Sequence, residues 1–301
     1  MPLPNFIGIG APRSGTRWLA ECLAEHPEIS LPPEEVYFFT TRRVVHSFWG
    51  RGVEWYKKLL AESMKPGTVI CGEITPWYLI DEDTPKLIHQ CVPEVKLICL
   101  LRDQSERAYS WYRFFLKVNP DLYYSDYSFR RFLTYHAEVY GRDGFYLDHI
   151  RRYLNYFSRD SLLVLLYDDI MSDPLSLIRD VYRFLDVDSA FVPESARKRI
   201  NEAEIVVPER LVPRSWIVDQ AAEWVGTRRF VRRFSGPLRR LNGIKLKARD
   251  PHTQHRLDPE MREMMRDLYH KHNDRLGIFL GRDLSHWNNG APLAGHANRN
   301  R

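Results

Sequence analysis

The feature that most constrains this chain is a glycine-rich turn between a short apolar segment and an amphipathic one. Residues 5–7 lead into the decapeptide GIGAPRSGTR at 8–17, and WLAECL follows at 18–23. Glycine adopts backbone conformations that other residues resist, and the first N–H groups of a helix, at the positive end of its dipole, attract anions. The pattern therefore predicts a strand, a phosphate-binding turn and a helix.

The turn departs from the loop that binds nucleoside triphosphates. That loop requires Gly-x4-Gly-Lys-Ser/Thr. Gly10 and Gly15 have this spacing, but Thr16 and Arg17 follow them, and the basic residue, Arg13, lies inside the loop. The missing lysine argues against ATP or GTP. A small-molecule or nucleoside kinase is the enzymatic alternative, and it predicts ATP binding and dependence on magnesium.

A second motif follows later in the chain. The run VKLICLLR at 95–102 has the length and apolar character of a strand, and DQSERAYS at 103–110 opens a helix with an Asp-x-x-Glu resembling a capping box. Together, GAPRSGTRWL and LRDQSERAYSWY resemble the two donor-binding motifs of sulfotransferases that use 3′-phosphoadenosine 5′-phosphosulfate. The chain resembles the bacterial branch of this family, which is related to the carbohydrate and heparan sulfate enzymes.

This resemblance implies a donor site that needs no metal. The first loop would hold the 5′-phosphosulfate, with Arg13 stabilising charge in the transition state, while Arg102 and Ser110 would hold the 3′-phosphate. A nucleotide without that phosphate would leave the Arg102 fork and the Ser110 hydroxyl unpaired, which gives selectivity. The implied donor-binding residues are Pro12, Arg13, Ser14, Gly15, Thr16, Arg17, Arg102, Ser110 and, in a loosely matched basic loop, Lys247 and Arg249.

A third segment supplies a candidate base. PPEEVYFF at 32–39 is similar to the family's KEVHFF segment, which implies Glu35 as the general base, with Glu34 in place of a basic residue and Tyr37 in place of histidine. A carboxylate between prolines and aromatic rings can have a raised pKa, which suits proton abstraction. The alternative is a surface acid. In GEITPWYL at 72–79, Glu73 is either a substitute base or a buried structural acid, and Ile74 replaces a family lysine.

Alternating strand-like and helix-like segments predict an α/β fold, with a P-loop-like three-layer arrangement of a central, mostly parallel sheet flanked by helices. We predict a single sulfotransferase domain over residues 1–287, closing on GRDLSHW at 281–287, and a disordered tail at 288–301. Strands are predicted at 6–10, 69–72, 95–101 and 162–167; helices are predicted at 16–26, 105–116, 174–185 and from 259 to about Gly281. Asp168 and Asp169 are predicted to be capping or ion-pairing groups.

Composition limits the partners. Binding of an anionic donor accounts for part of the net charge of +5, so this charge does not require a nucleic-acid partner. The basic stretch at 214–249 is predicted to pack beside the cofactor cleft; peripheral membrane contact and RNA binding are its alternatives, and a non-catalytic adapter would show steep salt dependence. The acceptor is a small molecule or carbohydrate, with carbohydrates, lipids and natural products all open. Lacking a leader or spanning segment, the chain is predicted to be cytoplasmic; its oligomeric state is unknown.

Overall fold

The computed structural model describes residues 3–41, 47–119, 122, 127–197, 211–212, 244–245 and 259–289, with the backbone alone at 138–140, 211–212 and 244–245. The chain divides into two compact units. The first comprises Met1–Trp111, Tyr135–Glu202 and Asp258–Arg301, and the second comprises Tyr112–Thr134 and Ala203–Leu257. The single domain expected over residues 1–287 stays a prediction.

A five-stranded parallel sheet lies at the centre of the first unit, with the strand order β2-β3-β1-β4-β5. Its strands are β1 Phe6–Gly10, β2 Ile29–Ser30, β3 Ile70–Ile74, β4 Lys96–Leu101 and β5 Leu162–Leu166. Because the strands are parallel, their carboxyl ends meet at one edge, where ligands of such sheets bind. The loop with Arg13, and then Thr75, Arg102 and Tyr167, follow β1, β3, β4 and β5 at that edge.

Helices cover the sheet, so the predicted fold class is confirmed. The α-helices of the described residues are α1 Thr16–Glu25, α2 Val53–Glu62, α3 Thr84–Cys91, α4 Gln104–Val118, α5 Phe129–Tyr135, α6 Ala137–Asp143, α7 Tyr146–Leu154, α8 Tyr167–Ser172, α9 Pro174–Leu185, α10 Pro259–Leu280 and α11 Ser285–Asn289. Short 3₁₀ turns stand at Trp49–Arg51, Pro76–Leu79, Arg159–Ser161 and Glu194–Ala196. None of the helices in the described ranges combines the length and apolar character needed to cross a bilayer.

The strands separate two apolar clusters because successive side chains point to opposite faces. On β1, Ile7 and Ile9 belong to one cluster and Phe6 to the other. On β4, Leu97 and Ile98 divide in the same way. All five of these side chains are buried, which fixes the sheet between its helical layers and gives its carboxyl edge a rigid base.

Local signals set several boundaries. The Asp173 side chain caps α9 by accepting a hydrogen bond from the Ser176 amide at 3.0 Å, as its position before Pro174 predicts. Gly281 ends α10 in the left-handed region, with φ 64°, as predicted. Strand β5 is one residue shorter than predicted because Tyr167 already begins α8.

Part of the sequence-based interpretation lies outside the described residues. The basic stretch at 214–249, with Lys247 and Arg249, falls there apart from the backbone of Ile244–Lys245, and so do residues 290–301 of the predicted disordered tail. The first two residues of that predicted tail, Asn288 and Asn289, are instead the last residues of α11. In the second unit, two short strands, β6 Leu211–Val212 and β7 Ile244–Lys245, pair antiparallel.

Candidate functional site

The loop between β1 and α1 has the backbone of an anion-binding turn. Gly15, which immediately precedes α1, has φ 96°, and a Cβ at this position would lie 3.0 Å from Ile170 Cδ1 and 3.1 Å from Tyr167 Cδ2. Glycine is therefore required by both conformation and space. In the described part of the chain, no side chain caps this helix, so its first amides are left for another partner.

Ser14 marks the same loop as a place for a polar ligand. Its side chain is fully buried, and its Oγ has no hydrogen-bond partner within the described residues. A buried hydroxyl without a partner costs about 1–3 kcal/mol, so such a group usually serves a ligand. The hydroxyl, the uncapped helix start and the Gly15 turn together fit a phosphate group.

Arg13 brings the two sequence motifs together. It adopts φ 66°, unusual for a residue with a side chain, and its Nε lies 3.4 Å from Ser110 Oγ on α4. The Arg102 Nη1 atom lies 3.5 Å from the Arg13 carbonyl oxygen. Arg102 and Ser110, which follow Arg13 by 89 and 97 positions in the sequence, thus converge on this loop.

Arg102 is oriented by neighbours on three elements. Its guanidinium carbon lies 4.4 Å from the centroid of the Tyr167 ring at the start of α8. Its Nη2 is 3.6 Å from Glu106 Oε2, but Glu106 is closer to Arg262 of α10, at 2.5 Å. Because Arg262 provides the shorter ion pair for Glu106, the carboxylate does not hold Arg102 in a short, bidentate pair. The contact of Arg102 with Tyr167 and the pairing of Glu106 with Arg262 did not follow from the sequence.

The other predicted donor contacts within the described residues differ in their positions. Arg17 points away from the loop: its side chain is 93% exposed and pairs with Glu21 one turn later at 3.1 Å. Pro12 and Thr16 are buried in the loop and at the start of α1. Lys247 and Arg249 lie outside the described residues.

Glu35 lies near Arg13, and the electrostatics of the site connect the two. The surrounding protein raises the pKa of Glu35 mainly by desolvation, even though the side chain reaches the surface. A hydrogen bond donated by the Tyr37 hydroxyl lowers this pKa, the Glu34 charge raises it and the Arg13 charge lowers it. The net shift is upward, as expected for a general base.

A cavity of about 310 Å³ opens beside Glu35. Pro32, Pro33, Phe48 and Trp55 form part of its wall. The Phe48 and Trp55 rings lie 5.2 Å apart, and the Arg51 guanidinium carbon lies within about 5 Å of both ring centroids. The wall thus combines these apolar surfaces with polar side chains, namely Glu34, Glu35, Glu62 and Ser63.

Glu73 is the second acid near the base. It is fully buried on β3, as expected for a buried structural acid rather than a substitute base. It accepts hydrogen bonds from the hydroxyls of Tyr56, Thr75 and Tyr78. Burial raises the pKa of Glu73 to about 7, although its hydrogen bonds lower it. A fully buried carboxylate cannot reach an acceptor, so Glu73 is not placed to act as the base.

The two acids after β5 bind side chains of the C-terminal segment, and Asp169 is an ion-pairing group, as predicted. Asp168 accepts hydrogen bonds from His286 Nε2 at 3.0 Å and Trp287 Nε1 at 3.1 Å. Asp169 accepts two from Arg282, at 2.7 and 3.1 Å. These contacts tie the C-terminal GRDLSHW segment to the end of β5.

Comparison with known proteins identifies the family of the chain. A family model described as the sulfotransferase domain matches residues 3–207, which is more than half of the chain. The chain belongs to the sulfotransferase family. The family suggested by the two motifs is thereby confirmed.

Two curated relatives illustrate how far this sulfotransferase domain resembles known enzymes. The mouse bifunctional heparan sulfate N-deacetylase/N-sulfotransferase 4 is 31% identical over 206 residues, covering 62% of this chain and 22% of the relative. The human heparan sulfate glucosamine 3-O-sulfotransferase 5 is 29% identical over 194 residues, covering 62% and 54%. The chain thus matches about a fifth of one relative and half of the other.

A solved sulfotransferase shares the fold over nearly the whole chain. The enzyme from Alicyclobacillus acidocaldarius superposes with a TM-score of 0.67 at 22% identity, and the match covers 95% of this chain and 99% of that one. At this identity the likeness concerns the fold alone. It agrees with the parallel sheet and its flanking helices.

Proposed function

We propose that this member of the sulfotransferase family transfers the sulfuryl group of 3′-phosphoadenosine 5′-phosphosulfate to a hydroxyl or amine of its acceptor. The observation that carries the proposal is the position of Arg13. Its Nε is 3.4 Å from Ser110, and its charge lowers the pKa of Glu35. One cation thus adjoins both the candidate 3′-phosphate contact and the candidate base.

The residues present fit a donor with two phosphate groups. The α1 amides and the Ser14 hydroxyl would bind the 5′-phosphate, and Arg102 with Ser110 would bind the 3′-phosphate. Sulfuryl transfer, like phosphoryl transfer, depends on in-line positioning and on stabilising the charge of the leaving oxygen. Arg13 stays protonated at any working pH, so it would stabilise this charge by its field and hydrogen bonds rather than donate a proton.

Glu35 would take the proton of the acceptor. Its raised pKa brings the carboxylate closer to the working pH, which favours proton transfer. The cavity beside it offers ring and proline surfaces, which suit an acceptor whose hydroxyl or amine is carried on an apolar or ring-shaped body. Carbohydrate, lipid and natural-product acceptors share this property. Cytoplasmic location and membrane contact through residues 214–249 stay predictions from the sequence.

The test is transfer of ³⁵S from labelled donor to a mixed pool of nitrophenyl glycosides, glucosamine oligosaccharides and simple phenols. We expect Glu35→Gln to lower turnover by about 10²–10⁴-fold, with less than about threefold change in donor affinity. Glu34→Gln is the matched control for the loss of one exposed charge beside the cavity. It removes a charge that raises the pKa of Glu35 but leaves the base itself, so turnover should fall by less than about tenfold. Wild-type turnover by Glu35→Gln would remove Glu35 from the base role.

A further inference from the structure

Glu73 is a costly group for the protein to keep. Its side chain is fully buried, and its hydrogen-bond partners among the described residues are three hydroxyls: Thr75 Oγ1 at 2.7 Å, Tyr56 at 2.8 Å and Tyr78 at 3.1 Å. A buried carboxylate without a paired cation is disfavoured by several kcal/mol, which hydrogen bonds only partly offset. Such a group is commonly retained for a role beyond stability.

Two of these hydroxyls also bind the segment that follows Glu35. Thr75 Oγ1 accepts hydrogen bonds from the amides of Val36 at 3.0 Å and Tyr37 at 3.3 Å. The Tyr78 hydroxyl accepts one from the amide of Phe39 at 3.2 Å. Three of the four amides after Glu35 are therefore held by oxygens whose own hydrogens point to Glu73.

The direction of these hydrogen bonds depends on the chemistry of Glu73. A carboxylate only accepts, so it takes the hydroxyl hydrogens of Thr75 and Tyr78 and leaves their lone pairs for the amides. A carboxamide or a protonated acid must donate one hydrogen itself. One hydroxyl would then have to turn, and the amides that it serves would lose a well-oriented acceptor.

The groups that face Glu73 come from each element around it. Tyr56 projects from α2, Thr75 and Tyr78 from the turn after β3, and the Glu35 charge acts on Glu73 from the segment above. Like charges repel, so the two acids are energetically connected as well as linked through Thr75.

We infer that Glu73 is a positioning residue: through Thr75 and Tyr78 it fixes the backbone that carries Glu35 and so places the base against the acceptor. The inference rests on the proposed role of Glu35. The inference assigns Glu73 no contact with substrate. It explains why a buried acid that pairs with no cation among the described residues lies on the strand next to the phosphate loop.

The first experiment needs no acceptor. Amide hydrogen exchange, at about pH 8.5 so that Glu73 is ionised, and ¹³C carboxyl titration by NMR are measured on the full chain as wild type, Thr75→Val, Thr75→Ser and Glu73→Gln. Valine keeps the branched shape of threonine without the hydroxyl, whereas serine keeps the hydroxyl. We expect Thr75→Val and Glu73→Gln to speed exchange at Val36 and Tyr37 at least about tenfold and Thr75→Val to move the Glu35 pKa toward its ordinary value, with Thr75→Ser close to wild type.

Wild-type exchange at Val36 and Tyr37 in either folded variant, Thr75→Val or Glu73→Gln, would overturn the inference. Exchange that is equally fast in Thr75→Ser and Thr75→Val would do the same, because the hydroxyl would then be irrelevant. Glu73→Gln keeps the test decisive if Thr75→Val fails to fold, since it changes no backbone contact directly.

The second experiment separates the inference from the proposed function. With the ³⁵S donor and the same acceptor pool, displacement of the base should lower kcat in Glu73→Gln by about 10- to 100-fold while donor affinity is unchanged. If Glu35→Gln is inactive but Glu73→Gln and Thr75→Val turn over like wild type, the inference fails and the base role stands. If Glu35→Gln is fully active, the base role fails, whatever the exchange data show.

Discussion

At the scale of single residues, the phosphate loop depends on a backbone conformation that most side chains disfavour. Gly15 has φ 96°, and a methyl group there would press on Ile170 and Tyr167. We expect Gly15→Ala to lower the free energy of unfolding by about 1–3 kcal/mol in urea titrations, because the strained conformation and the contact both oppose it.

The matched control is Gly50→Ala. Gly50 has open space around its Cβ position and no positive φ, so this substitution should change the free energy of unfolding by no more than about 0.5 kcal/mol. Equal stability losses in the two variants would show that Gly15 is not a special position.

At the scale of elements, hydrogen bonds connect the C-terminal segment GRDLSHW at 281–287 to the sheet edge that carries the site. Asp168 is only 14% exposed and accepts hydrogen bonds from His286 and Trp287, so Asp168→Ala leaves the buried Trp287 indole N–H and the half-buried His286 ring unpaired. We expect a loss of about 1–3 kcal/mol in the free energy of unfolding, measured by chemical denaturation.

Asp180→Ala provides the comparison, because the Asp180–Arg183 pair on α9 is exposed and of the same kind as many weak surface pairs. Its stability should stay within about 0.5 kcal/mol of wild type. If removing Asp168 is no more costly than removing Asp180, the C-terminal segment is not fastened in the way described.

The elements also show what a sequence can and cannot predict. Strands β1 and β4 and the helices after them carry apolar runs and motif residues, so their places and their meeting at one sheet edge were predictable. Strand β2 was missed because two residues, Ile29–Ser30, carry no periodic pattern.

Within the site, local patterns identified single residues but not their partners. The hydrogen bond from the Val36 amide to Thr75 spans 39 positions, and the stacking of Arg102 on Tyr167 joins the ends of two strands. Neither follows from spacing, because tertiary packing alone brings them together. Arg17 was expected at the phosphates, but the phase of α1 turns it outward to Glu21.

At the scale of the whole molecule, buried Glu73 makes stability depend on pH. The pKa of Glu73 is raised from 4.5 to about 7 in the folded chain, so folding favours the protonated acid. Its contribution is fully present below about pH 4.5 and is lost as the pH rises through 7. We expect this group to cost about 3 kcal/mol of unfolding free energy between pH 4.5 and pH 8.

Glu73→Gln should remove this part of the pH dependence, whereas Glu62→Gln, at an exposed acid, should not. Urea titrations of the three proteins at several pH values measure the difference. Parallel curves for wild type and Glu73→Gln would mean that Glu73 does not titrate in this range.

In the donor site that we propose, one sheet edge binds both phosphate ends of a single nucleotide. Thermal unfolding with adenosine 3′,5′-bisphosphate, AMP and ATP at equal concentration tests it most directly, because a ligand of the folded state raises Tm by mass action. We predict a clearly larger rise with the bisphosphate, and loss of its advantage over AMP in Arg102→Ala. Equal rises with all three nucleotides in the wild-type chain would contradict the account.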